Sequence, residues 1–281
     1  MIRLRRKRSF THRVKQSGKD LGRKAASQLD MPWARSWAAR TGREVFMRAV
    51  LEPTMDYYTR RRATGREKIA ALKGPVILVA NHCSHIDTPV ILAALPRRLR
   101  RRTVVGAAAD YFYKNRLIAS VVSFIFNTVP LDRKGGGARA TDHVDRLLDQ
   151  GWSLLLYPEG TRSRTGSIGR VRRGAAVLAA RHKVPIVPIH LSGTRAAMPP
   201  GRLWPHRIRG LLLSRRHPVD IDFGEPIPPG EDSTTVFESL QRFFLAGASD
   251  SSKDGASARE TNGAGRGRFA RARSLAGRGE R

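Results

Sequence analysis

The chain has 281 residues, 40% of them hydrophobic, one cysteine and a formal net charge of +30. That length and apolar content supply one substantial core with tails rather than two domains, and the single cysteine excludes an internal disulfide and suits a reducing compartment. A field of that sign calls for a polyanionic partner, either the anionic face of a membrane or nucleic acid, and would concentrate phosphorylated substrates.

Residues 1–31 form a basic N-terminal segment that opens on Met1-Ile2-Arg3-Leu4-Arg5-Arg6-Lys7-Arg8 and holds no acid before Asp20. The apolar stretch of a secretory signal is missing there, so a cytoplasmic location is expected. Across 32–62, Trp33, Trp37, Met47, Val50 and Leu51 recur at helical spacings beside Arg35, Arg40, Arg43 and Arg48. This composition suits an interfacial helix with aromatics among the headgroups and arginines on lipid phosphates, or an ordinary amphipathic helix packed on the domain. Pro53 is expected to kink or end it. Apolar runs then predict strands near 75–80, 103–108, 127–131, 153–157, 185–191 and 218–223, alternating with helices near 88–95, 112–125, 139–149, 172–182 and 234–245. The alternation is an α/β pattern, over a domain expected to span 63–245 behind the basic amphipathic helical region. No run reaches the roughly 18 to 20 apolar residues of a spanning helix; the nearest is Leu117 to Phe126 with its continuation to Leu131. Residues 246–281, rich in Gly, Ala, Ser and Arg, are expected to be a disordered basic tail, with Arg266, Arg268, Arg271 and Arg273 meeting lipid, nucleic acid or only solvent.

Two of the apolar runs end in polar chemistry. Val76 to Ala80 delivers Asn81-His82-Cys83-Ser84-His85-Ile86-Asp87, and Trp152 to Leu156 delivers Tyr157-Pro158-Glu159-Gly160-Thr161-Arg162-Ser163. A histidine can take a proton from a hydroxyl near neutral pH, and a carboxylate can fix its tautomer and stabilise the imidazolium. On a regular helix His82 and Asp87 would lie roughly 140° apart, so the pair requires a turn. Asp87-Thr88-Pro89 reads as a helix start with a capping acid and an early proline, which places His82 in the strand-to-helix turn just before it.

Between about residues 60 and 230 the sequence resembles the glycerolipid acyltransferase family, whose members include 1-acylglycerol-3-phosphate and glycerol-3-phosphate acyltransferases. Four blocks carry the resemblance in the family's order: Asn81 to Asp87, Val129-Pro130-Leu131-Asp132-Arg133, Tyr157 to Ser163, and Val184-Pro185-Ile186-Val187-Pro188-Ile189. The resemblance implies a mixed central sheet flanked by helices, with His82 and Asp87 catalytic. His82 would accept the proton of a glycerol hydroxyl as it attacks an acyl thioester, without an acyl-enzyme, while Asp87 orients the ring. Backbone amides at the start of the following helix are candidates for the oxyanion. Arg133 and Arg162 would hold the acceptor phosphate, since a guanidinium fork suits phosphate oxygens. Family resemblance assigns Glu159 to the acceptor's hydroxyl region, although a structural role accepting bonds from loop amides stands beside it. Gly160 would allow close backbone approach, and Asn81, Ser84 and Thr161 match the motifs but would equally serve to cap turns and hold the loop.

The sequence departs from the family in two places. Asn127 stands where the arginine block commonly begins with glycine, and Asn tolerates left-handed backbone. Val171-Arg172-Arg173-Gly174 replaces the family's Phe-Lys-x-Gly, which keeps positive charge at Arg172 or Arg173 but changes its geometry and leaves the acceptor headgroup open.

Other readings of the first motif are a metal site built from His82, Cys83, His85 and Asp87, a nucleophilic Cys83, and His85 as the base with His82 displaced from that role. The crowded spacing lacks a zinc pattern, nothing in the family uses a cysteine there, and His82 occupies the matched position, so no metal and no cofactor is expected. The reading is a peripheral acyltransferase on the cytoplasmic face of the cell membrane. It would take acyl groups from acyl-CoA or acyl carrier protein as co-substrate to a lysophospholipid, foremost 1-acylglycerol 3-phosphate, giving phosphatidic acid. Another lysolipid, glycerol 3-phosphate or a glycolipid is the alternative acceptor. A basic nucleic-acid-binding protein is the alternative of another class, but no helix-turn-helix, zinc-finger or ribonucleoprotein signature is present and no specific nucleic acid is expected.

Overall fold

A computed structural model describes residues 29–108, 116–131, 142–163, 165–209, 214–230 and 232–247. Residues 1–28 of the basic segment and the tail from 248 onward lie outside them. After a 3-10 turn at Pro32–Arg35, helix α1 (Trp37–Phe46) runs through a π turn, Met47–Leu51, into α2 (Glu52–Tyr58). Pro53 therefore neither ends the helix nor stands alone: the wider π turn before it absorbs the missing N–H and the clash of the ring with the preceding turn. There follow β1 (Thr59–Thr64), α3 (Arg66–Ala70), β2 (Ile77–Ala80), α4 (Asp87–Ala94), α5 (Arg97–Arg100), β3 (Thr103–Ala108), α6 (Arg116–Phe126), β4 (Thr128–Leu131), α7 (Asp142–Asp149) and β5 (Ser153–Leu156). The described residues close with α8 (Gly174–His182), β6 (Ile186–Ser192), α9 (Thr194–Ala197), β7 (His217–Phe223) and a helix, α10, over 233–247.

The seven strands form one sheet in the order β1-β7-β6-β2-β5-β3-β4. Every pairing is parallel except β6 with β7, so the sheet is mixed, as expected. The six strands predicted from apolar runs are all present. β1 was not among them because Thr59-Arg60-Arg61-Arg62-Ala63-Thr64 reads as polar; it is an edge strand whose Arg60 and Arg62 point into solvent, which protects the edge. The domain boundary expected after residue 62 cuts through this strand, and the tail boundary at 246 falls inside α10.

β2 shows how the core divides. Leu78 and Ala80 face a cluster with Met47, Met55, Val90 and Ile91 from the N-terminal helices and α4. Ile77 and Val79 face the opposite cluster with Val144, Leu148, Ala176, Ala179, Leu240 and Phe244 from α7, α8 and α10. This two-residue alternation, with both faces apolar, is what a central parallel strand requires.

The N-terminal helices are bolted to the first face. Arg43 donates from Nε to the Phe124 carbonyl at 2.6 Å and from Nη2 to the Ala34 and Ser123 carbonyls at 2.7 and 3.1 Å. Burial, with Arg35 and Arg40 nearby, lowers its pKa to about 10. Arg100 of α5 reaches Glu44 of α1 at 2.6 Å and Glu52 of α2 at 3.2 Å. Region 32–62 is thus packed on the domain, yet it keeps Trp37 70% and Trp33 47% exposed. Among the described residues, no helix is long and apolar enough to cross a membrane.

Candidate active site

β2 and β5 are parallel neighbours, with Val79 opposite Leu156, so the segments leaving their carboxyl ends run side by side. The turn required by the His82–Asp87 spacing is present between β2 and α4. Asp87 is the first residue of α4 and is completely buried, and Ile86 occupies the capping position. The expected capping acid therefore works in reverse. Its carboxylate turns back onto the preceding loop, where Oδ2 accepts from the Cys83 and Ser84 amides at 2.7 and 2.8 Å and lies 2.8 Å from His82 Nδ1. Oδ1 is buried without a partner among the described residues. An ionised carboxylate only accepts, so Nδ1 carries the proton and Nε2 is left as the acceptor.

The loop is anchored on three sides. Asn81 donates to the Leu191 carbonyl at 2.9 Å and accepts from the Leu191 amide at 2.7 Å, which extends the β2–β6 pairing by a side chain. Ser84 Oγ donates to the Met198 carbonyl at 2.8 Å. Glu159 Oε1 accepts from the His82 amide at 3.0 Å and Oε2 from the Gly169 amide at 2.8 Å. Of the two roles open for Glu159, the geometry gives the structural one: it is buried behind the loop and does not line the cavity.

Tyr157, quoted in the motif but given no role, stacks on His82 with ring centroids 4.0 Å apart and planes at 20°. Its hydroxyl shares a 2.7 Å hydrogen bond with Thr88 Oγ1 on α4. Burial and the nearby Asp87 charge push its pKa well above the ordinary phenol value. No pattern in the sequence announces this contact, because it depends on β5 lying next to β2.

His82, His85, Thr161 and Arg162 form the polar end of a cavity of about 610 Å³ whose walls include Phe46 and Val50 of the N-terminal helices, Ile125 and Phe126 of α6, and Leu203 and Trp204. Burial, then the Arg162 guanidinium and His82, lowers the pKa of His85 to about 4, so it is neutral at physiological pH. Among the described residues Arg162 has no carboxylate within ion-pair distance, which leaves its fork available to an anion.

The remaining arginines separate. Gly160 has a φ of 71°, and a Cβ there would come 3.0 Å from Cζ of Arg172, so this glycine makes room for the Arg172 guanidinium. Arg172 itself is not a lining residue. Arg173 is a correction: its guanidinium lies 5.1 Å from the Phe237 ring of α10, packed on the far cluster and not at the cavity. Arg133 lies outside the described residues. The strand before it, β4, ends on the same sheet edge as β2 but three strand spacings away, roughly 14 Å. Asn127 takes the left-handed conformation expected of it, with φ 53°.

Cys83 is a poor nucleophile, because burial and the Asp87 and Glu159 charges push its thiol up to about 12. Among the described residues no group of three His, Cys, Asp or Glu side chains is arranged to hold a metal.

Residues 60–192 match the Acyltransferase family model. The chain is 31% identical over 144 residues to a chloroplastic 1-acyl-sn-glycerol-3-phosphate acyltransferase of Brassica napus, an alignment covering 49% of this chain and 38% of that protein. It is 31% identical over 160 residues to a probable 1-acyl-sn-glycerol-3-phosphate acyltransferase of Mycoplasma genitalium, covering 56% and 58%. The human 1-acyl-sn-glycerol-3-phosphate acyltransferase alpha is 31% identical over 124 residues, covering 42% and 41%. The chain thus spans between about two fifths and three fifths of the length of these relatives. The crystal structure of the 1-acyl-sn-glycerophosphate acyltransferase of Thermotoga maritima superposes with a TM-score of 0.56 at 22% identity, over 79% of this chain and 83% of that one, which supports a common fold. Residues 60–192 of this chain are thus similar to the Acyltransferase family and to proteins named 1-acyl-sn-glycerol-3-phosphate acyltransferases.

Proposed function

We propose that this protein transfers a fatty acyl group from a thioester, acyl-CoA or acyl carrier protein, to the free hydroxyl of 1-acylglycerol 3-phosphate, giving phosphatidic acid. The observation that carries the reading is the His82–Asp87 pair at the polar end of an apolar cavity with Arg162 beside it. His82 Nε2 takes the proton of the acceptor hydroxyl as its oxygen attacks the thioester carbonyl; the tetrahedral intermediate collapses, the C–S bond breaks and the thiolate leaves. Asp87 holds the tautomer and offsets the imidazolium charge. Arg162 takes the acceptor phosphate, and the apolar walls take acyl chain. The names of the aligned relatives support this acceptor.

The same reading places the protein peripherally on the cytoplasmic face of an anionic membrane, with Trp37 and Trp33 exposed on α1 and its approach as the contact. The test is a matrix of purified protein against 1-acylglycerol 3-phosphate, other lysolipids and glycerol 3-phosphate, each with acyl-CoA and acyl carrier protein donors. Turnover confined to 1-acylglycerol 3-phosphate supports the assignment. Turnover confined to glycerol 3-phosphate or to a phosphate-free lysolipid contradicts it.

A further inference from the structure

Residues 198–205, which follow α9, form a loop fastened at its base and apolar at its tip. The Ala197 carbonyl accepts from the His206 amide at 3.0 Å and lies 2.9 Å from His206 Nδ1, which pinches the loop closed, while Ser84 holds the Met198 carbonyl. Pro199, Pro200 and Pro205 restrict the chain between, and the Arg202 amide closes a turn on the Pro199 carbonyl at 3.2 Å. This ordered loop nevertheless leaves Leu203 92% and Trp204 62% exposed. Apolar groups fixed in water by a built loop indicate something that covers them.

The surroundings specify what covers them. Trp204 Nε1 donates to Tyr58 Oη at 2.9 Å, and Tyr57 meets Tyr58 edge-on at 4.9 Å, with the Arg207 guanidinium 4.8 Å from the Tyr57 ring. Arg202, Arg209, Arg215 and Arg216 are exposed in the same stretch of chain, Arg216 donating to the Asp56 carbonyl beside Tyr57, and no acid occurs between residues 199 and 216. Leu203 and Trp204 also line the catalytic cavity, so whatever covers them sits at its mouth. We propose that this loop is a membrane-docking element separate from α1, in which Leu203 and Trp204 enter the interfacial layer of an anionic phospholipid bilayer and the surrounding arginines meet lipid phosphates.

A bilayer fits better than a macromolecular partner. Nucleic acid would use the arginines but gain nothing from Leu203, and a two-residue tip is small beside the roughly 800 Å² per partner of a stable protein interface. An indole at headgroup level with a hydrogen-bonded N–H is the usual interfacial placement of Trp. Only the catalytic meaning of that cavity mouth rests on the lipid-acceptor reading, and docking is measured without turnover, so the two fail separately.

The experiment is co-sedimentation of the full chain with phosphatidylcholine vesicles, with and without phosphatidylglycerol, for wild type, Leu203→Glu and Leu203→Ser, with thermal unfolding as the check on folding. Both variants should lower partition, Leu203→Glu by about 10-fold or more, since a buried leucine side chain is lost and a charge gained. Arg202→Glu with Arg209→Glu should weaken binding only to the phosphatidylglycerol vesicles. In parallel, bromolipid quenching of tryptophan fluorescence should be smaller in Trp204→Phe than in wild type. Unchanged partition of both Leu203 variants, unchanged quenching in Trp204→Phe, or loss confined to binding of immobilised acyl carrier protein or nucleic acid overturns the proposal.

Discussion

The backbone N–H of His82 donates to the carboxylate of Glu159 at 3.0 Å, while the other oxygen of Glu159 accepts from Gly169 at 2.8 Å. The second motif thus acts on the first by holding its main chain. Glu159→Gln keeps one acceptor oxygen and replaces the other with a donor, so one of the two part-buried amides loses its partner. The expected cost is about 1 to 3 kcal/mol of stability, read as a lowered Tm, with kcat falling more than the acceptor KM rises. A variant that raised only the acceptor KM would return Glu159 to the substrate.

Tyr157 is expected to position His82 through its ring more than through its hydroxyl. Tyr157→Phe keeps the 4.0 Å stack and loses only the Thr88 bond, so stability should drop by about 1 kcal/mol with kcat nearly unchanged. Tyr157→Ala frees the imidazole, and kcat should fall by at least about 10-fold at similar acceptor KM. Equal kcat in the two variants would remove the stacking contact from the mechanism.

His85 gives the acid dependence a sign. Its pKa falls from 6.5 to about 4 in the folded chain, so between these values the unfolded chain binds a proton that the folded chain does not. Its contribution to stability is complete above about 6.5 and is lost as pH falls toward about 4. Replacing His85 with Gln should flatten the Tm profile across that window. A profile with unchanged slope would mean that other groups dominate.

Arg162 and Trp37 should separate in one kinetic comparison. Arg162→Lys should raise the acceptor KM, because an ammonium cannot reproduce the planar fork, and Arg162→Ala should raise it further, with donor KM changing less. Trp37→Ala should instead lower turnover of vesicle-bound acceptor while sparing a short-chain soluble analogue. If the Arg162 variants lost only vesicle binding, or the Trp37 variant lost soluble turnover equally, the substrate and membrane surfaces would be exchanged.

Legibility in the sequence followed how local each feature is. Six strands were visible, β7 through its alternation of buried and exposed residues and the other five through their apolar runs, and the His82–Asp87 pair was visible because it closes within one turn. β1 was hidden by three arginines that an edge strand tolerates. The Glu159 and Tyr157 contacts were hidden because they join residues 77 and 75 positions apart, from His82 to each, only after β2 and β5 pair. The Arg172-Arg173 pair read as one basic feature, yet the chain turns Arg172 onto Gly160 and Arg173 onto Phe237. Which of two adjacent side chains faces a site is decided by backbone geometry that composition does not carry.

The central claim is that His82 is the base for acyl transfer and Asp87 sets its tautomer. The most direct measurement is the rate of phosphatidic acid formation from 1-acylglycerol 3-phosphate by wild type, His82→Ala and Asp87→Asn at matched folded fraction. The account predicts that His82→Ala loses roughly 100- to 10,000-fold in kcat and that Asp87→Asn is also severely impaired, while His85→Ala loses far less. A His82→Ala enzyme turning over near the wild-type rate would contradict it.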